Sequence, residues 1–241
     1  MIIQRFVSPC LATNCYVLID WPSARAVVVD PGGRTAAPVR QRLEAMGVTL
    51  VAVLFTHGHP DHVWDGARLA DGVPCYLPAP DHYRLDEPNL ALPAAFDFAA
   101  ISGEEWARPT DVRPLPDALL CGGGAPIAEG FTVRAVPAPG HTEGSTVFLV
   151  SASLADDIHR ELPDPPRTAD VEGPVLLAGD VLFAGSMGRT DLPGGDDEEM
   201  RSSLRTLRQT IDPATVVLPG HGPATTMAHE NATNPYLHFR S

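Results

Sequence analysis

Short β-branched runs recur along the chain, most of them ending in Gly, Pro or Asp, and they alternate with longer amphipathic stretches. That alternation predicts a layered α/β architecture. The pattern predicts strands at Cys15–Ile19, Ala26–Asp30, Leu50–Phe55, Phe131–Pro137, Thr146–Val150, Val175–Ala178 and Thr215–Leu218. It predicts helices at Ala36–Met46 and Asp197–Ile211. In the second helix Met200, Leu204, Leu207 and Ile211 share one face, and the acids opening it match the positive end of the helix dipole. Residues 79–113 and 151–173 break the rhythm and read as insertions in a single domain spanning residues 1–241. Loops of that length are usually functional covers or mobile surface.

Composition narrows the chemistry. The 30 acidic and 17 basic side chains leave a net charge of −13, and every basic residue is Arg. Without Lys there is no Schiff base and no Walker-type phosphate loop. An acidic chain with no basic cluster repels nucleic acid and anionic lipid, so neither is expected as a partner. The start, Met1 to Phe6, lacks the apolar stretch of a signal peptide, and no run approaches the ~18 apolar residues of a membrane span. Cys10, Cys15, Cys75 and Cys121 are scattered and form no Cys-x-x-Cys pair. They are read as reduced residues of a cytoplasmic protein rather than nucleophiles, since none has an activating neighbour.

The informative segment is Thr56-His57-Gly58-His59-Pro60-Asp61-His62, directly after an apolar run. In extended backbone, positions two apart project to the same side, so His57 and His59 can chelate one ion together. Asp61 and His62 follow where the chain turns into a helix and can face a second ion. Three later punctuations place a ligand-type residue beside glycine after a strand: Gly140-His141, Gly179-Asp180 and Gly220-His221. Strand ends along one sheet edge converge on a common site, and Gly permits close backbone approach.

This set, Thr-His-x-His-x-Asp-His followed by Gly-His, Gly-Asp and Gly-His, resembles the metallo-β-lactamase superfamily across nearly the whole chain. The stretches Gly179 to Asp191 and Gly220 to Leu237 resemble its short, single-domain glyoxalase II-like hydrolases. The resemblance implies a four-layer αββα sandwich with a metal site at one edge of the two packed sheets. It implies that His57, His59 and His141 hold one divalent ion, that Asp61, His62 and His221 hold another, and that Asp180 bridges them. Zinc is the expected metal, with iron or manganese as alternatives. The implied activity is hydrolysis of a small-molecule thiolester by a metal-bridging hydroxide, with Asp61 and Asp180 as catalytic carboxylates.

Thiolester chemistry also suits a site with no strong general acid, because a thiolate leaves readily. Two residues carry two readings each. Arg189 either binds a substrate carboxylate or forms a surface ion pair, and Asp30 either supports the His loop from behind or caps a strand. Two rival functions stay open: a single-iron persulfide dioxygenase of the same superfamily, which shares a segment like Gly188 to Asp191, and a non-catalytic metal-bound binding protein. His82, His159, His229 and His238 are expected at the solvent surface, and Trp64, Phe183 and Tyr236 in packing.

Overall fold

The computed structural model describes residues 1–93 and 96–238. One sheet is built from β1 (Ile2–Val7), β2 (Asn14–Asp20), β3 (Arg25–Val29), β4 (Thr49–Leu54), β5 (Cys75–Tyr76) and β6 (Val112–Arg113), side by side in chain order. The other begins with β7 (Ala125–Ala128), β8 (Phe131–Pro137), β9 (Thr146–Leu154) and β10 (Gly173–Gly179). After a separate hairpin of β11 (Leu182–Phe183) and β12 (Ser186–Met187), it is completed by β13 (Val216–Pro219) and β14 (Thr225–Thr226). β9 joins the two: it pairs with β8 and β10 over its first part, and its last residues Ser153 and Leu154 pair with Ile2 and Ile3 of β1.

Alternation along the strands sorts side chains into layers. In β2, Tyr16 and Leu18 point into a core shared with Phe148, Val150, Leu177 and Leu218 of the opposite sheet. Cys15, Val17 and Ile19 point outward, against Val39 and Leu43 of α1 (Ala36–Met46). On the far face, Leu176 and Val217 meet Met200, Leu204 and Leu207 of a long helix, Asp197–Thr210. The order is helix, sheet, sheet, helix, the four-layer sandwich expected. Because both faces are covered, β2 reads as an unbroken apolar run.

Strand positions follow the sequence pattern closely where a strand is buried on both sides. β1 is absent from that pattern because its Gln4 and Arg5 interrupt the apolar run, and Arg5 is instead paired with Glu161. Of residues 151–173, Ser151 to Leu154 extend β9. Of residues 79–113, where 94 and 95 lie outside the described residues, Ala79–Leu85 and Pro88–Ala91 form 3-10 turns. Among the described residues no helix is long and apolar enough to cross a membrane.

β4, β8, β10 and β13 all end at one edge of the sandwich. The segments after these four strands carry His57 to His62, His141, Asp180 and His221 respectively, with Asp61 and His62 in the short helix Pro60–Val63. The edge is closed by backbone bonds across the sheets: Thr146 N donates to Thr56 O at 2.9 Å, and Gly220 N to Gly179 O at 2.7 Å.

Candidate metal centre

The structure brings together all seven donors read from the sequence. Ligand atoms of His57, His59 and His141 lie within 4.8 Å of one another, as do those of Asp61, His62 and His221, and those of His57, His62 and Asp180. Asp180 stands between the triads. Its Oδ1 is 3.3 Å from His62 Nε2, and its Oδ2 is 3.6 Å from His141 Nε2 and 3.5 Å from His221 Nε2. Asp61 Oδ2 is 3.1 Å from His221 Nε2 and accepts the Thr13 hydroxyl at 3.0 Å.

The fit to a cation is visible in what these atoms lack. Nε2 of His57, His59, His62 and His141, and Oδ1 of Asp180, are buried without a hydrogen-bond partner. Buried polar groups are almost always satisfied, and leaving one unpaired costs roughly 1–3 kcal/mol. Five such atoms facing one space, in imidazole and carboxylate chemistry, suit divalent metal.

The outer nitrogens explain why Nε2 faces inward. Nδ1 of His62 meets Asp30 Oδ2 at 3.0 Å, Nδ1 of His141 meets the Arg189 carbonyl at 2.7 Å, and Nδ1 of His221 meets the Leu11 carbonyl at 3.1 Å. Thr56 Oγ1 donates its one proton to Asp30 Oδ2 at 2.7 Å, so His57 Nδ1, 3.0 Å from that hydroxyl, must be the donor to it. In its neutral form each of these rings therefore carries its proton on Nδ1 and offers Nε2 as a lone pair. Asp30 both closes β3 and holds the His loop: it also accepts the Thr56 N–H at 2.8 Å.

A second buried carboxylate, missed in the sequence, ties the two loops of the first triad together. Asp81 accepts the Gly58 N–H at 2.7 Å, the Thr142 hydroxyl at 2.8 Å and the Gly144 N–H at 2.8 Å. Nothing local to Asp81 signals this, because its partners are far along the chain. Gly220 is needed for contact: a Cβ there would lie 2.1 Å from Asp180 Oδ1 and 2.7 Å from His62 Cε1.

The triads differ electrostatically. Burial pushes His57 well below the usual imidazole range, holds His59 down to about 3 and lowers His141. Burial opposes charge on His62 as well, yet Asp180, Asp61 and Asp30 outweigh it and raise that ring well above its ordinary value. His221 is raised against its burial by Asp180 and Asp61, while Asp180 is held down to about 2 by His62 and His221 despite its burial. A ring already neutral takes a cation without losing a proton, whereas a protonated ring must release one. Zinc affinity at His57, His59 and His141, whose rings burial holds below the ordinary imidazole value, is therefore expected to depend less on pH than affinity at the other triad. Affinity at Asp61, His62 and His221 should strengthen as pH rises, with protons released on uptake. Zinc titration of metal-free protein with an indicator dye checks this, and equal proton release for both ions would contradict it.

His59, Asp61, His141, Asp180 and His221 form the floor of a cavity of about 450 Å³. Its walls include Leu11, Leu92, Phe96, Phe183, Met187 and Leu192. Phe183, expected in packing, stands instead in this wall, edge-on to His221 with ring centroids 6.1 Å apart. Arg189 also lines the cavity, but its guanidinium is bound to Asp191, at 2.6 and 2.7 Å. Trp64 is buried against Phe98 and Trp106, as packing predicts. His229 and His238 are exposed. His82 and His159 are not simply solvated: they are half-buried and bonded to the carbonyls of Leu77 and Arg167 at 2.9 and 2.7 Å. Tyr236 lies at the surface, 37% exposed, rather than in the core.

This chain belongs to the metallo-β-lactamase superfamily, whose family model matches residues 8–152. It is 34% identical over 242 residues to an uncharacterized protein of Mycobacterium tuberculosis, a match spanning 98% of each chain. It is 30% identical over 229 residues to the hydroxyacylglutathione hydrolase GloC of Haemophilus influenzae, covering 95% of this chain and 94% of that one. Among solved structures, TTHA1623 in a di-iron-bound form matches with a TM-score of 0.69 and 30% identity, over 97% of this chain and 99% of that one. With the donor cluster, these relatives mark the chain as a metal-dependent hydrolase of the superfamily.

Proposed function

We propose that the protein hydrolyses the thiolester of a low-molecular-weight thiol, using two divalent metal ions. The observation that carries this is the inward convergence of two donor triads sharing Asp180, with five buried polar atoms left unpaired. Two ions, one per triad, agree with the di-iron-bound form of the 30% identical TTHA1623, and a thiolester with the name of GloC. Divalent ions at this edge would bring the pKa of water towards neutrality and polarise a carbonyl, which is how a hydrolase works without a Ser or Cys nucleophile.

The chain's own groups do the rest. Asp61 and Asp180, both ionised, counter the charge of the ions and limit it at the floor. Thr13, Asp30, Thr56 and the carbonyls of Leu11 and Arg189 fix the donors before substrate arrives, so little reorganisation is left for the reaction. Carboxylic acids poised to protonate a poor leaving group are not among the described wall residues. A thiolate, with a conjugate acid near 8.5, leaves without that help, while an amine does not.

The test is metal content and turnover on the same sample. About two zinc, iron or manganese ions per chain are expected, with loss of thiolester ultraviolet absorbance across a panel of acyl thiolesters, abolished by chelator and restored by metal. A single iron per chain with oxygen uptake on glutathione persulfide would overturn the reading in favour of a dioxygenase. Full metal loading with no turnover of any thiolester would overturn it in favour of a binding protein.

A further inference from the structure

The wall of the cavity says what can sit above the floor. Leu11, Leu92, Phe96, Phe183, Met187 and Leu192 make it largely apolar, and Leu11 and Phe96 are left 43% and 45% exposed at its mouth. Large apolar side chains kept open to water around a polar floor are the signature of a ligand surface.

The wall is held in place by buried polar groups. Glu230, fully buried, accepts the Gly185 N–H at 2.8 Å and the Asn234 side-chain amide at 2.8 Å. The same Asn234 amide donates to the carbonyls of Phe183 at 3.3 Å and Ser186 at 3.0 Å. The β11–β12 hairpin that presents Phe183 and Met187 is thereby pinned to the C-terminal helix Met227–Thr233 and its cap. On the opposite side Leu11 adopts φ 59°, a left-handed conformation that costs a non-glycine residue energy, and its carbonyl meets His221 Nδ1. The apolar surface is preformed rather than collapsed.

Charge points the same way. Arg189 is the one arginine among the described residues lining the cavity, and both its Nε and Nη2 are engaged by Asp191. A thiol with carboxylates along its length, such as glutathione, would set them against Phe and Leu in a protein of net charge −13. Ions held by the donors would place their positive charge at the floor of the cavity.

We propose that the preferred substrate is a thiolester uncharged in both its acyl chain and its thiol, the acyl chain lying on the wall formed by Phe183, Met187 and Leu192. The proposal rests on the thiolester-hydrolase reading, and binding separates the two. Calorimetry on zinc-loaded protein compares two non-hydrolysable thioethers, S-hexyl-N-acetylcysteamine, which is neutral, and S-hexylglutathione, which is anionic. The neutral compound is expected to bind at least about tenfold more tightly. Phe183→Ala should weaken it about fivefold or more at unchanged zinc content. In turnover, kcat/KM for S-acyl-N-acetylcysteamines should rise at least about tenfold from acetyl to hexanoyl, given that each fully buried methylene contributes roughly fourfold.

Equal or tighter binding of S-hexylglutathione, no measurable binding of the neutral thioether, or indifference to Phe183→Ala would overturn the proposal. The predicted binding order with no thiolester hydrolysis would instead sink the hydrolase reading and leave the description of the pocket standing.

Discussion

Asp180→Asn is expected to lower kcat/KM for thiolester hydrolysis by at least about a hundredfold and to cut metal content towards one ion per chain, with the fold intact. Changing a group that merely orients a metal ligand typically costs 10- to 100-fold in metal affinity or activity. Asp180 is more central than that, since its two oxygens face His62, His141 and His221 at 3.3 to 3.6 Å. The amide keeps the shape but offers one oxygen and no charge, so it cannot serve both triads. Stability of the metal-free protein should fall as well, because the Asp180 charge is favoured in the fold by His62 and His221 and removing one partner of a buried pair is destabilising. Metal analysis, steady-state kinetics and thermal melting on one preparation decide the matter. Turnover close to that of the native enzyme, at full or reduced loading, would contradict a shared bridging carboxylate.

Loss of Asp30 should cost a large share of the fold's stability. Asp30→Ala strands the Thr56 N–H, the Thr56 hydroxyl and the His62 Nδ1–H in a buried space. Each unsatisfied buried donor costs roughly 1–3 kcal/mol, and allowing for non-additivity a total of about 3–5 kcal/mol is expected. That is a large part of the ~5–15 kcal/mol available to a domain. Asp30→Asn separates the structural from the metal-binding role. Asp30 sits at φ 52°, a conformation Asn tolerates well, and the amide oxygen can still accept from Thr56 N. Its NH2 group, however, meets His62 as a donor and favours the tautomer protonated on Nε2, which turns a proton towards the metal position. Chemical denaturation should show a milder loss than for Ala, while competition with a chelator shows metal affinity reduced about 10- to 100-fold. Native affinity in Asp30→Asn would count against this account of the tautomer.

The donors were legible in the sequence because each obeys a local rule. His57 and His59 are two apart on an extended segment, and His141, Asp180 and His221 each follow a glycine at a strand end, where only backbone without a side chain fits. The sandwich was legible for a similar reason: strands covered on both faces are written as apolar runs, as in β2. What was not legible depends on partners distant in sequence. Asp81 gains its meaning from Gly58, Thr142 and Gly144, and Glu230 from Gly185, and no spacing near either residue announces those contacts. Arg189 shows the limit in reverse. Its nearest anion is Asp191, two residues on, and that short-range pair takes the guanidinium that a substrate carboxylate would need. Phe183 looked like packing because a lone aromatic after a strand usually is, and only the hairpin geometry turns it towards the metal floor.

The shared strand β9 has a consequence for assembly. Four of the seven donors precede the exposed turn at Gly122 and Gly123, and three follow it. The leading half edges onto the trailing half through Ile2 and Ile3 alongside Ser153 and Leu154. A polypeptide severed at that turn would leave both pieces short of a complete coordination set. Cation capture would then report on the two pieces finding one another, making the metal a sensor of their reunion as well as a reagent.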